Sequence, residues 1–251
     1  MIRAVVPVSG GKDSQAALKL AVGQFGVENI VGLFCDTQNE HPITYAHIER
    51  LRTLYGALRI DTVCAGSVEE KCIKYGRFPG GGARFCTDEL KIVPTKKYCK
   101  ALAESLGHGF EVWYGMRSKE SPERQRRYAG KVCDELYAPH EVLPSKYPKY
   151  LAALGVMFRL AVLDWTDADV MAFLEGQHNP LYDAGFPRVG CFPCGASGDR
   201  WKEKAFQHDD FGKQQYIRVQ DIGRRIGKSI WTSKGGQARN QEFEGCNLCE
   251  I

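Results

Sequence analysis

The sequence predicts an α/β fold: a mostly parallel, doubly wound sheet with helices on both faces, followed by a cysteine-containing C-terminal region. Three observations predict it. Strand and helix patterns alternate from the first residues onward. The first strand-to-helix junction, Ser9–Ser14 (SGGKDS), is rich in glycine and hydrogen-bonding side chains. Polar residues then recur where later strands end, which is where parallel sheets bind ligands.

Ile2–Ser9 is an apolar, β-branched run and reads as the first strand. Lys12–Phe25, rich in Ala and Leu, is a helix. Ile30–Thr37 (IVGLFCDT) is the second strand. Pro42–Tyr55 is helical, because Ile43, His47, Leu51 and Leu54 recur at helical spacing. Leu58–Cys64 is a third strand, and Phe78–Ala83 (FPGGGA) a flexible loop. Thr87–Leu106 is a long helix in which Pro94 removes a backbone donor and marks a kink or break. Phe110–Met116 is the fourth strand and Phe158–Leu163 the fifth. Thr166–Leu174 is a helix capped by Thr166, with Asp169 as its capping-box partner. From about Asn179 the regular pattern gives way to turns, cysteines and basic residues. The expected division is an α/β nucleotide-binding domain over 1–178 and a basic, cysteine-containing region packed on it over 179–251.

The 251 residues are 43% hydrophobic and 25% charged, the composition of a globular soluble protein. A net charge of +4 neither demands nor excludes a nucleic-acid partner. No apolar run reaches membrane-spanning length, and the chain enters a strand with no basic-then-apolar leader. The expectation is a cytoplasmic protein with no membrane partner. In that compartment ten cysteines point to metal or redox chemistry rather than disulfides. Oligomeric state is not encoded at this level.

The Ser9–Ser14 loop has the composition that phosphate binding needs. Gly10 and Gly11 lack Cβ atoms, so backbone N–H groups can approach an anion closely. Ser14 lies where a helix begins, at the positive end of its dipole, and Lys12 adds a charge. Asp13 would repel phosphate on its own. A Mg²⁺ between them reconciles the two, since that ion takes carboxylate and phosphate oxygens together. The spacing is not that of a Walker A loop.

SGGKDS resembles the PP-loop of the ATP pyrophosphatase, or adenine nucleotide α-hydrolase, superfamily. Other segments are similar to the phosphoadenosine phosphosulfate (PAPS) reductase family within it: FCDTQNEHPITYAHIERL, RFCTDELKIVP, GMRSKESPERQRR and NPLYDAGFPRVGCFPC. They run in family order from Ser9 to Cys194. The resemblance implies an adenine nucleotide α-hydrolase-like fold and a nucleotide substrate. Two departures matter. Family reductases have a degraded loop, whereas Ser9–Ser14 is intact, as in members that cleave ATP between the α and β phosphates. Iron–sulfur members that reduce adenylyl sulfate have adjacent cysteines where this chain has Phe85 and Cys86. The family's catalytic cysteine lies in a C-terminal tail, and this chain ends EGCNLCEI.

Cys191 and Cys194 form one Cys-x-x-Cys pair and Cys246 and Cys249 another. The two pairs alone suggest a four-thiolate site for zinc or an iron–sulfur cluster. The resemblance favours Cys86, Cys191 and Cys194 around a [4Fe–4S] cluster, with Cys246 or Cys249 as fourth ligand or an open iron that delivers sulfide. Zinc is the alternative. Cys35, Cys64, Cys72, Cys99 and Cys133 read as small buried side chains. The six histidines show no metal spacing.

Arg117 and Arg124 suit phosphate or sulfate oxygens. Arg126 and Arg127 read equally as a solvated helical face. Glu120 and Ser121 fall on the same family segment and are placed to order Arg117 or touch the ligand. Lys91, after Cys86, is placed to neutralise a phosphate or a cluster. Asp36 and Thr37, at the second strand's end, are placed to reach the nucleotide or its metal. Residues 200–240 carry ten Lys/Arg against four Asp/Glu, with Tyr216 and Trp231 among them. That pattern suits either a nucleic-acid strand or a solvated helix, since QQYIRVQDIGRRIG has helical apolar spacing.

Three functions follow. The first is an ATP-using enzyme that adenylates an acceptor with Lys12, Asp13 and Mg²⁺, then supports sulfur transfer. Its acceptor would be nucleic acid or another sulfur-accepting substrate, its partner a sulfur-donor protein. The second is a PAPS or adenylyl-sulfate reductase, in which Cys246 or Cys249 attacks sulfur and thioredoxin releases sulfite. The third is a non-catalytic nucleotide- and metal-binding module.

Overall fold

The computed structural model describes residues 1–80 and 84–231. β1 (Ala4–Val8), β2 (Ile30–Asp36) and β3 (Ile60–Cys64) form where the β-branched runs predict them. α1 (Lys12–Phe25) and α2 (Pro42–Leu54) lie between them. α3 (Val68–Tyr75) is a helix the periodicity did not signal, although Ser67 and Glu70 form a capping box at its start.

The long helix begins as α4 (Phe85–Thr87), widens into a π turn over Asp88–Ile92, and continues as α5 (Val93–Leu106). Pro94 neither breaks nor ends it. A proline ring crowds the carbonyl four residues back, and a widened turn is one way to accommodate it. Then come β4 (Glu111–Trp113), α6 (Pro122–Arg127), β5 (Leu136–Tyr137), α7 (Pro139–Val142) and α8 (Tyr150–Ala153). β6 (Met157–Arg159) is shorter than the expected Phe158–Leu163 strand and starts one residue earlier. Leu160–Leu163 instead turn back, Leu163 N–H donating to the Leu160 carbonyl at 3.1 Å. All four are buried, and an apolar run in a buried turn reads like a buried strand.

α9 (Asp167–Leu174) has the Thr166–Asp169 capping box that the sequence predicts. α10 (Asp199–Gln207) and α11 (Asp210–Ile226) follow. α11 confirms the helical spacing of its sequence and buries Tyr216, Val219 and Ile222. Tyr216 and Trp231 lie in one buried cluster with Phe206, so these rings are core and not a stacking surface for bases.

The sheet order is β3-β2-β1-β4-β6-β5, parallel except for the antiparallel edge strand β5. Central β1 pairs Val5 with Val31 on one side and with Val112 on the other. Alternation along the strands supplies both faces. Val5, Leu33, Val112 and Phe158 pack with Cys99 and Ala103 of α5. Ala4, Val6 and Val8 pack with Ala17 and Leu18 of α1 and Ile48 and Leu51 of α2. The strand order reverses direction between β1 and β4. Such a switch point opens a crevice at the strands' carboxyl ends. No helix among the described residues is long and apolar enough to cross a membrane.

Candidate active site

The β1–α1 loop lies in that crevice. Gly10 has φ +74°, and a Cβ there would come 2.5 Å from Thr44 Cγ2. Ser14 Oγ accepts from Ser9 N–H at 3.2 Å and donates to the Gly11 carbonyl at 2.9 Å, closing the loop over the start of α1. Tyr182 seals one side: its hydroxyl accepts the Lys12 N–H at 3.0 Å. Asn179 holds Tyr182's segment in place, bonding Thr44 and the Leu181 N–H. Gly115, just beyond β4, lies flush against the loop. A Cβ on Gly115 would come within 2.4 Å of the Asp13 carbonyl carbon.

Two buried cations meet here. Lys12 Nζ is 3.1 Å from Asp13 Oδ1 and 2.6 Å from Asp167 Oδ1. Arg117 Nε is 2.8 Å from Asp13 Oδ1, and its Nη2 is 2.7 Å from Asp167 Oδ1. Two positive and two negative side chains interleave at the N-terminus of α1. The hydrogen bond from Lys12, with its charge and that of Arg117, holds the Asp167 carboxyl below the usual carboxylate range. Glu120 accepts from the Arg117 N–H and pairs with Arg124. Ser121 caps α6 by accepting the Arg124 N–H at 3.2 Å. Glu120 and Ser121 thus order the segment that carries both arginines. Burial lowers the Arg124 pKa. Arg126 and Arg127 are exposed.

A second group gathers at the end of β2. Thr37, fully buried, donates to Glu40 Oε1 at 2.7 Å, and its hydroxyl is 3.4 Å from Cys191 Sγ. Asp36 Oδ1 accepts from Gln38 N–H and Tyr45 O–H, both at 2.8 Å, as a turn residue does. Glu40 and Cys191 form a backbone bridge. Burial pushes the Cys191 thiol up to about 12. Burial also raises Cys86, helped by the charge of Cys194. Burial opposes the Lys91 charge, but Cys191, Glu40, Cys86 and Cys194 together outweigh it and raise its pKa. Cys86, Lys91, Cys191 and Cys194 therefore share one neighbourhood. Cys246 and Cys249 lie outside the described residues. Among the other cysteines, Cys35, Cys72 and Cys99 are buried as expected, whereas Cys64 is exposed and Cys133 only partly buried.

Among the described residues, the ligand atoms of His41, His208 and Asp209 come within 4.8 Å of one another. Both nitrogens of His41 are already engaged. Nδ1 accepts the Ile43 N–H at 3.1 Å and Nε2 lies 2.9 Å from Asp209 Oδ2. The group is a tie between the starts of α2 and α11. The three sulfurs of Cys86, Cys191 and Cys194 do not all come so close to one another.

A parallel sheet that brings a glycine loop, a helix N-terminus and two buried cations to its switch point is the architecture of nucleotide-phosphate-binding α/β proteins. The chain belongs to the phosphoadenosine phosphosulfate reductase domain family, which matches residues 3–197. An uncharacterised 37.8 kDa protein of Escherichia phage 186 is 29% identical, across 76% of this chain and 66% of its own length. A protein of Methanocaldococcus jannaschii is 27% identical, and the chain covers 36% of it. The chain thus spans less than two thirds of the length of each. An adenosine 5'-phosphosulfate reductase of Anoxybacillus flavithermus is 27% identical, across 68% of this chain and 70% of that enzyme. The crystal structure of phosphoadenylyl-sulfate reductase from Candida auris, a phosphate complex, aligns at 18% identity with a TM-score of 0.46, covering 77% of this chain and 83% of that one.

Sequence reasoning missed Gly115, Asp167, Glu40 and Tyr182 as members of these groups. Gly115 had a signal, a glycine at the same strand end as the loop it touches. Asp167 had none, since an acidic residue in a helix's first turn is ordinary.

Proposed function

We propose that the chain is an ATP-using enzyme of sulfur metabolism that adenylates an acceptor and supports sulfur transfer to it. One observation carries this reading: Lys12 and Arg117, both buried, converge on the N-terminus of α1 beside an intact Ser9–Ser14 loop. Ser9, Gly10, Gly11 and Ser14 would cradle the phosphates. An acceptor oxygen attacks the α-phosphorus, the bond to the β-phosphate oxygen breaks, and that electron pair leaves on pyrophosphate. Lys12, Arg117 and the helix terminus stabilise the charge that develops there. Arg124 lies on the segment that Glu120 and Ser121 order, placed for a further phosphate oxygen. A sulfur nucleophile then displaces AMP, supplied from the cysteine group or a sulfur-donor protein.

Asp13 offers one carboxylate, which fits a Mg²⁺ carried by the nucleotide and completed by phosphate oxygens and water. Such an ion would draw charge onto the leaving pyrophosphate. Cys86, Cys191 and Cys194 all act on the Lys91 charge, and a cation among three thiols suits the negative charge of a [4Fe–4S] group, with Cys249 as fourth ligand and zinc as the alternative. A cluster there would supply electrons or sulfide. Anaerobically prepared chain is expected to contain iron and absorb near about 400 nm, where thiolate-to-iron charge transfer falls. Zinc without iron would overturn this assignment.

The second reading, a PAPS or adenylyl-sulfate reductase using Cys246 or Cys249 and thioredoxin, draws on the adenosine 5'-phosphosulfate reductases among the relatives. It also gains from Asp13. Lys12 and Arg117 already neutralise that carboxylate, so Mg²⁺ is not the sole way to reconcile it with an anion. Incubation with Mg²⁺ and ATP should release pyrophosphate, slowly where water is the acceptor. Incubation with PAPS or adenylyl sulfate and thioredoxin, without ATP, should release no sulfite. Robust sulfite release without ATP would install the reductase instead.

A further inference from the structure

We propose that Asp167 is a displaceable counter-anion of the phosphate site: its carboxylate holds the place between Lys12 and Arg117 that a phosphate oxygen takes on binding, and so sets affinity for phosphate-bearing ligands. The inference rests on the reading that these two cations take phosphate oxygens.

A single oxygen, Asp167 Oδ1, lies 2.6 Å from Lys12 Nζ and 2.7 Å from Arg117 Nη2. One anionic oxygen shared by two cations is the contact a phosphate oxygen would make. The four side chains differ in access. Those of Lys12 and Arg117 are 7% and 5% exposed and that of Asp13 18%, whereas that of Asp167 is 71% exposed. A ligand arriving from solvent meets Asp167 before either cation. With Asp167 in place the four charges cancel. With it swung aside, one net positive charge remains beside a helix N-terminus.

The scaffold around Asp167 does not depend on its carboxylate. Thr166 and Asp169 cap α9 reciprocally, Asp169 N–H donating to Thr166 Oγ1 at 3.2 Å and Thr166 N–H to Asp169 Oδ2 at 2.7 Å. Ala16 of α1 packs with Val162, Val170 and Leu174 in a buried cluster. Arg117 Nη1 also donates to the Trp165 carbonyl at 3.4 Å. The backbone of residue 167 is therefore fixed relative to Lys12, and side-chain rotation alone opens the place it fills. Asp13 has no such freedom, since it is largely buried and touches both cations from within the loop.

The test is calorimetric titration of the full chain with inorganic pyrophosphate and with ATP, using wild type, Asp167→Asn and Asp167→Glu. Removing one negative charge at this distance should tighten pyrophosphate binding about tenfold, most strongly at low salt. The Glu variant should bind like wild type. Asp167→Ser, which also suits a helix's first turn, repeats the test if Asn disturbs α9. Unchanged or weaker binding by the Asn and Ser variants, with wild type binding normally, would overturn the inference and leave Asp167 a mere holder of the two cations. If neither wild type nor variants bind pyrophosphate or ATP, the phosphate reading falls and the inference with it. Binding by the variants alone would support both.

Discussion

Asp13→Ala should lower Mg²⁺-dependent pyrophosphate release about 100-fold or more while leaving metal-free nucleotide binding intact or tighter. The loss follows from the charge that develops on the leaving group. A residue that stabilises such charge in a water-excluded site is worth about 10²–10³ in rate. Retained binding follows from the geometry. Asp13 Oδ1 lies 2.8 Å from Arg117 Nε and 3.1 Å from Lys12 Nζ, so its removal frees two cations for phosphate. Turnover is read as pyrophosphate in excess Mg²⁺, and binding by equilibrium dialysis in a chelator. Equal loss of both would instead make Asp13 a structural counter-ion, since buried cations without partners destabilise the fold. Asp13→Asn, which keeps the shape, and a thermal unfolding curve separate the two cases. No loss in either measurement would remove Asp13 from the mechanism.

Gly115→Ala is the second large effect. The added Cβ would sit 2.4 Å from the Asp13 carbonyl carbon and 2.5 Å from the Ser14 nitrogen. Both are backbone atoms at the start of α1, so no side-chain rotation relieves the clash. Either β4's end or the loop must move. Overpacking of this kind costs about 1–3 kcal/mol, which for a chain of this size lowers Tm by roughly 2–12 °C. Nucleotide binding should fall further than stability, because the displaced atoms belong to the loop proposed to cradle the phosphates. Gly23→Ala is the control. It lies in the same helix with nothing within 4 Å of its added Cβ, and helix propensity makes the change neutral or mildly stabilising. Equal behaviour of the two variants would show that Gly115 does not shape the loop.

The fold was legible where a segment's own pattern decides its structure. β1, β2, β3, α1 and α2 follow from runs of β-branched residues and from helical spacing. α9 announces itself through Thr166 and Asp169 three residues apart. Failures came where a local pattern has two meanings. Leu160–Leu163 is apolar throughout, which suits a strand or a buried turn, and the packing around Ser118 and Leu163 chose the turn. Tyr216 and Trp231 among basic residues suit a nucleic-acid strand or a solvated helix, and burial with Phe206 made them core instead.

The sequence by itself determined the local character of the Ser9–Ser14 loop, because that segment is contiguous: its glycines, its lysine and its place between strand and helix are all local properties. It also carried the family order from which Cys86 is expected beside Cys191 and Cys194. Only the tertiary structure decided which charges face one another. Asp13, Arg117 and Asp167 come from three elements, joined at the switch between β1 and β4, and the first and last are 154 positions apart in the chain. No periodicity or spacing records such a meeting. It is fixed by the sheet order and by the packing of α9 on α1, and both emerge only when apolar faces from distant segments are buried together.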